Sequence, residues 1–278
     1  MKEYRLTDWL PTTKKEMELR GWDELDVVLF SGDAYVDHPS FGAAVIGRLL
    51  EAQGLKVAIV PQPNWRDDLR DFKKMGKPRL FFGVSAGCMD SMVNKYTANK
   101  RLRSEDAYTP DGRHDMRPEY PTIVYTQILK KLWPDVPVVI GGIEASLRRL
   151  THYDYWQDTV RKSILIESGA DLLVYGMGEK PITDLCKRMK ESPVIPHDLP
   201  QTVYLVKGKQ AIPPSISPKE DIVLHSHEAC LSEKKKEAEN FRFIEEESNK
   251  YEAARILQHA GNSTVVVNPP YPDRKSVV

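Results

Sequence analysis

Short apolar runs alternate with helix-forming stretches along the first two thirds of the chain, and few architectures accept that alternation. Asp26–Ser31, Lys56–Val60, Arg79–Val84, Pro137–Ile140 and Asp171–Tyr175 are apolar almost throughout. Runs of that length without polar alternation suit strands covered on both faces. Between them, Phe41–Gln53 carries Phe41, Val45, Leu49 and Leu50 on one stripe and stops at Gly54. Asn64–Met75 has Asn64 as a cap and Gly76 as a stop, and Thr122–Leu132, Tyr155–Ser168 and Gly178–Met189 also read as helices. Ahead of all these, Thr13-Lys-Lys-Glu16 fits a capping box and Gly21 a helix stop. The fold class expected is α/β: an open, mostly parallel Rossmann-like sheet with helices on both faces, joined by right-handed crossovers, in a flavodoxin-like order.

That unit is expected to occupy residues 1–192. Residues 193–278 differ, with prolines at 193, 196, 200, 213, 214 and 218. There Thr202–Val206 reads as a strand paired in a hairpin around Gly208, Ser232–Gln258 as a charged helical segment, and Thr264–Asn268 as a terminal strand stopped by Pro269 and Pro270.

Composition excludes several functions. Forty basic and forty acidic side chains cancel, so no global field recruits nucleic acid or anionic lipid. No apolar stretch has the length of a secretory signal or a membrane span, and a cytoplasmic protein with no membrane partner is expected. Cys88, Cys186 and Cys230 are far apart, which excludes a disulfide framework or a four-cysteine zinc site within the chain. His225 and His227, the one close histidine pair, read as a solvated turn rather than half of a metal site.

Ligands of open parallel sheets bind beyond the carboxyl ends of the strands. Four polar loops fall there: Gly32–Gly42, Ser85–Ser91, Gly141–Ser146 and Gly176–Glu179. The candidate binding residues are Asp33, Asp37, His38, Ser85, Gly141, Gly142, Glu144, Ser146, Gly176, Gly178 and Glu179. Any single glycine could serve only a tight strand-to-helix turn, and Ser146 or Glu179 only a helix end. Together the loops point to a crevice whose helix starts offer free amides to a polar ligand. His38, between Asp37 and a helix, could act as base, donor or metal ligand, or could simply order its loop. Cys88 beside Gly87 reads as a reactive thiol or, with no partner in sight, a small buried residue. Tyr96–Arg117 lacks periodicity and carries Lys100, Arg101, Arg103, Arg113 and His114. Such a loop could clamp a phosphate, a carboxylate or a nucleic-acid backbone, so a stand-alone nucleotide- or RNA-binding module is the alternative function. A second basic group, Arg148 and Arg149 near His152, follows the fourth strand.

Several segments together resemble the amino-terminal region of the YgiQ family of radical SAM proteins. They are Ser31–Gly42, Gly141–Arg149, Gly176–Glu179 and Val265-Val-Val-Asn-Pro-Pro-Tyr-Pro272, with Leu10–Met17 and Asp106–Pro110 in support. The resemblance covers almost the whole chain. It implies a cobalamin-binding-like Rossmann domain followed by a radical SAM barrel, whose C-x-x-x-C-x-x-C motif holds a [4Fe-4S] cluster. That cluster binds S-adenosylmethionine and cleaves it reductively, its three thiolates leaving one iron open. The cysteine motif is absent here, so the cluster and S-adenosylmethionine are expected for the full-length family protein and not for this chain. The missing barrel is the expected partner, acting on an unknown small-molecule or RNA substrate, and the end Asp273–Val278 reads as a truncation or frameshift. Cobalamin is not expected: the D-x-H-x-x-G spacing of histidine-ligated binders is not met by Asp37, His38 and Gly42. No catalytic residue is assigned to this chain.

Overall fold

A computed structural model describes residues 5–272, so the end Asp273–Val278 lies outside the described residues. Strands β1 (Val27–Ser31), β2 (Val57–Pro61), β3 (Phe81–Ser85) and β4 (Val138–Gly141) come first. A separate two-stranded hairpin, β5 (His152–Asp154) and β6 (Thr159–Arg161), precedes β7 (Leu172–Val174). Strands β8 (Thr202–Lys207), β9 (Ile222–Val223), β10 (Ile256–Ala260) and β11 (Ser263–Val267) follow. The main sheet has nine strands in the order β2-β1-β3-β4-β7-β8-β11-β10-β9. Its first five are mutually parallel, the flavodoxin-like order expected. From β8 onward the same sheet continues through antiparallel pairs, with β9 parallel to β10 at the far edge.

Helices cover both faces. Alternation within β1 sends Val27 and Leu29 to one core and Val28 and Phe30 to the other, which is why the run is apolar throughout. Helices α1 (Lys14–Leu19), α2 (Gly42–Ala52), α3 (Arg70–Lys73), α4 (Ser91–Lys95), α5 (Pro121–Leu132), α6 (Gly142–Leu147), α7 (Ile164–Ser168), α8 (Glu179–Glu191), α9 (His227–Ser232) and α10 (Lys234–Ser248) complete the chain. Leu50 of α2 and Ile182, Leu185 and Met189 of α8 pack on the Leu29 face. Phe72, Tyr125, Leu129 and Leu165, from α3, α5 and α7, pack on the Phe30 face. The capping box of α1 forms as read, Thr13 Oγ1 accepting from Glu16 N at 3.2 Å and Glu16 Oε2 accepting from Thr13 N at 3.1 Å.

Four expectations fail, each for a local reason. The helix over Asn64–Met75 shrinks to α3, because Asn64 and Asp67 side chains accept from Arg66 N and Leu69 N, and Leu69 turns left-handed at φ 61°. The helix over Tyr155–Ser168 gives way to the β5–β6 hairpin and the short α7. Asp154 Oδ1 takes the amides of Trp156 and Gln157 at 2.9 and 3.1 Å and so closes a turn where a helix would start. No hairpin forms around Gly208: β8 lies between β7 and β11, and the tight hairpin is β10–β11 around Gly261, at φ 60°. The charged helix ends at Ser248 because buried Glu247 accepts from Ala254 N at 2.7 Å, turning the chain into β10.

His152 makes the hairpin sensitive to acid. Its Nδ1 meets the Leu150 carbonyl at 3.1 Å, its Nε2 is sealed without a partner, and burial pushes its pKa down to about 4. The unfolded chain binds the proton near pH 6.5, so between about 6.5 and about 4 only the unfolded state is protonated. Stability is therefore lost as pH falls through that window. Urea midpoints at the two ends should show the wild type losing about 3 kcal/mol more than His152→Leu; equal losses contradict the assignment.

Candidate functional site

Because β1, β3, β4 and β7 run parallel, the loops after them gather on one edge of the sheet. The order reverses between β1 and β3, the place where such sheets open a crevice. A cleft of about 300 Å³ lies there, between α2 and α8. Leu29, Phe81, Val139 and Val174 wall it from the strands and Ile46 and Ile182 from the helices. Gly83 keeps the floor open, since a Cβ at that position would come within 2.6 Å of Leu29 Cδ2. At the mouth, Ser40, Gly42, Ser85, Gly142, Gly178 and Glu179 supply the polar edge. Neither α2 nor α8 has a side-chain cap; the Gly42 amide of α2 is taken by the Cys88 sulfur and Pro181 brings no N–H to α8, which leaves the remaining first-turn amides as donors beside the opening. The arrangement suits a ligand with an apolar body and a polar or anionic edge.

Six of the sequence candidates line this cleft: Ser85, Gly141, Gly142, Gly176, Gly178 and Glu179. Gly142 has the tightest requirement, with φ at 82° and a Cβ position 2.7 Å from Ser85 Oγ. Gly142→Ala should cost about 1–2 kcal/mol from the left-handed backbone alone, read as a melting midpoint lowered by several degrees. An unchanged midpoint would mean that the loop relaxes freely.

The other five candidates are occupied in holding the rim together. Asp33 is buried and accepts from Cys88 N at 2.6 Å and Arg117 Nη1 at 2.8 Å. Arg117, 2 % exposed, also gives Nη2 to Asp106 at 2.9 Å and Nη1 to the Ala86 carbonyl at 3.0 Å. Asp37 is gripped by Arg48, whose Nε lies 3.1 Å from both carboxylate oxygens, and that contact raises the Arg48 pKa. His38 is exposed and takes Ser40 N on Nδ1 at 3.1 Å, which orders its own loop. Glu144, fully buried, accepts from Ser91 N and Thr122 N, both at 3.2 Å, and from Ser91 Oγ. Ser146 Oγ bridges the Gly142 carbonyl and Gly176 N at 2.8 and 3.0 Å, tying together two loops of the cleft mouth.

The cysteines offer no thiolate cluster. Cys88 is half-buried rather than buried, and desolvation together with Asp33 pushes its thiol up to about 11, which disfavours the thiolate. Cys186 sits in the α8 core and Cys230 on α9. Among the described residues no three histidine, cysteine or carboxylate side chains form a metal-binding group. His225 pairs with Glu239 at 2.9 Å and His227 with Thr151 at 3.3 Å. The Tyr96–Arg117 segment is anchored by buried Asp106 and Arg117, whereas Lys100, Arg101, Arg103, Arg113 and His114 are exposed; Lys100 meets the Trp156 carbonyl at 3.3 Å and the Tyr155 ring at 4.7 Å. No helix among the described residues is long and apolar enough to cross a membrane.

The wall residues of the cleft were not among the sequence candidates, nor were Arg117 and Asp106, the two triad members that join Asp33. One signal for the wall was available: Gly83 interrupts an otherwise bulky strand, as happens where something approaches closely. Nothing local signals the triad, whose partners lie 84 and 11 residues from Arg117.

Fold and cleft together define an open α/β domain with a largely apolar cleft at its switch point. The chain belongs to the Radical SAM N-terminal family, whose model matches residues 9–276. A UPF0313 protein of Bacteroides thetaiotaomicron is 71% identical, over 98% of this chain and 45% of its own length. One from Porphyromonas gingivalis is 69% identical over 98% of this chain and 43% of its own. The UPF0313 protein YgiQ of Escherichia coli is 54% identical over 74% of this chain and 28% of its own. The chain thus spans less than half the length of these relatives. No solved structure matches it.

Proposed function

We propose that this domain holds the small-molecule ligand of a radical SAM protein and presents it at the carboxyl edge of the sheet to chemistry supplied by the rest of the polypeptide. The cleft between α2 and α8 carries the reading: apolar inside, edged by glycine backbone and two uncapped helix starts. Family membership implies a [4Fe-4S] cluster and S-adenosylmethionine for the full-length protein, the source of a radical when bound. The three cysteines here do not fit such a cluster, for they lie at the rim, in the α8 core and on α9. What this chain's residues do is narrower. Leu29, Phe81 and Val139 exclude water, the mouth amides orient a polar edge, and Ser146 and Glu144 keep the loops in register.

Histidine-ligated cobalamin does not fit either. His38 is bonded within its own loop and Asp37, the adjacent carboxylate, is committed to Arg48, so no acid orients the imidazole. Native mass spectrometry of the chain mixed with the low-molecular-mass fraction of a bacterial extract tests the proposal. A discrete added mass of a few hundred daltons supports it; an unmodified mass with every fraction contradicts it.

A further inference from the structure

The molecule pairs its buried guanidinium groups with carboxylates. Arg117 meets Asp33 and Asp106, Arg148 meets Asp90, Arg161 meets Asp154 and Glu167, Arg255 meets Asp221, and Arg20 meets Glu51. Arg149 is different. It is only partly exposed, yet among the described residues no carboxylate lies within ion-pair distance of it. Nη1 donates to the Ser146 carbonyl at 2.7 Å, while Nε is sealed without a partner. The guanidinium lies 5.1 Å from the centre of the Tyr175 ring, and that ring is held by a 2.7 Å bond from its hydroxyl to the Asn268 carbonyl. Glu245 of α10 is the acid whose field reaches it, from beyond ion-pair distance. Desolvation lowers the pKa of Arg149, so its setting disfavours the charge it carries.

A cation held on a fixed aromatic ring with no counter-ion is an unfinished ion pair, because a desolvated charge without a partner costs stability. Tyr175 packs with the Phe30-side core, so Arg149 stands at the same edge of the sheet as the cleft but on the opposite face. We propose that Arg149 is the cationic end of a second binding site, which takes the carboxylate or phosphate group of a small molecule. A planar guanidinium suits a two-oxygen group, and Tyr175 beneath it limits its rotation. The site is independent of the cleft reading, since the two share no wall.

The test is a phosphate and acetate titration of the labelled chain, followed at the Arg149 side-chain Nε–H resonance, which Arg149→Met assigns by its loss. The expected result is a saturable shift with both anions. Arg149→Lys keeps the charge without the fork and should bind about tenfold more weakly. Arg149→Met should show no saturable shift at Ser146 or Tyr175, with an unchanged or raised melting temperature because an unpaired charge has been removed. Four results would overturn the proposal, three of them in this chain: no saturation with either anion; anion shifts at Ser146 and Tyr175 that persist in Arg149→Met; or a melting temperature several degrees lower in that variant, which would make the residue structural. A fourth is a full-length relative whose matching arginine ignores both anions, since its counter-ion would then be a protein carboxylate. Failure to find a cleft ligand leaves this result untouched, and the reverse also holds.

Discussion

Replacing Arg117 by methionine is expected to lower the unfolding free energy by about 3–5 kcal/mol, the usual consequence of removing one member of a buried ionic group. The loss comes less from missing attraction than from what is left behind. Asp33 and Asp106, both buried, would lose the guanidinium that pairs with them. The Ala86 carbonyl would lose its donor as well. Because Asp33 also holds Cys88 N, the damage should spread to the loop after β3 that edges the cleft. Urea denaturation supplies the number. The variant Arg117→Met, Asp33→Asn, Asp106→Asn removes all three charges together and should recover part of the loss. A single variant as stable as the wild type would mean that the triad carries no stability.

That triad marks the limit of what the sequence makes legible. The parallel strands themselves were readable because strands buried on both faces are apolar in every residue, as in Val27–Phe30, and the helices between them keep one apolar stripe; their order was not, since apolar runs do not say which strand lies beside which. The rim glycines were readable because strand-to-helix turns need them. Asp33 and Glu144 were legible as polar residues at the right edge, but not the direction in which they point. Both turn inward to amides and cations from distant segments, at separations of 84 and 53 residues. Local pattern carries no information about such partners. The same blindness explains the misread helix over Tyr155–Ser168, where a single carboxylate, Asp154, redirects the backbone and is itself fixed by Tyr120 Oη at 2.5 Å.

Gly178→Leu should separate ligand binding from folding. Gly178 has an ordinary helical backbone, φ −79° and ψ −7°, so a side chain there meets no conformational penalty. A Cβ would sit 3.6 Å from Ile46 Cδ1 and 3.7 Å from Val174 Cγ1, normal packing distances, and the added leucine would fill the space between two walls of the cleft. Stability should change by less than about 1 kcal/mol, since apolar contacts replace open volume without strain. Binding of any cleft ligand should fall by at least about tenfold, because the leucine takes the volume that the ligand's apolar body would fill. Gly142→Ala makes the useful contrast, lowering stability through the backbone without filling the cleft.

The most direct measurement uses the Bacteroides thetaiotaomicron relative, 71% identical over this region, as the full-length protein after reconstitution with iron and sulfide. Release of 5′-deoxyadenosine is followed with and without the low-molecular-mass extract fraction, in the wild type and with leucine at the position matching Gly178. The account predicts that the fraction stimulates release by the wild type, and that the leucine variant keeps the unstimulated rate while losing the stimulation. Stimulation of equal size in both proteins would contradict it, because the ligand would then be bound somewhere other than this cleft.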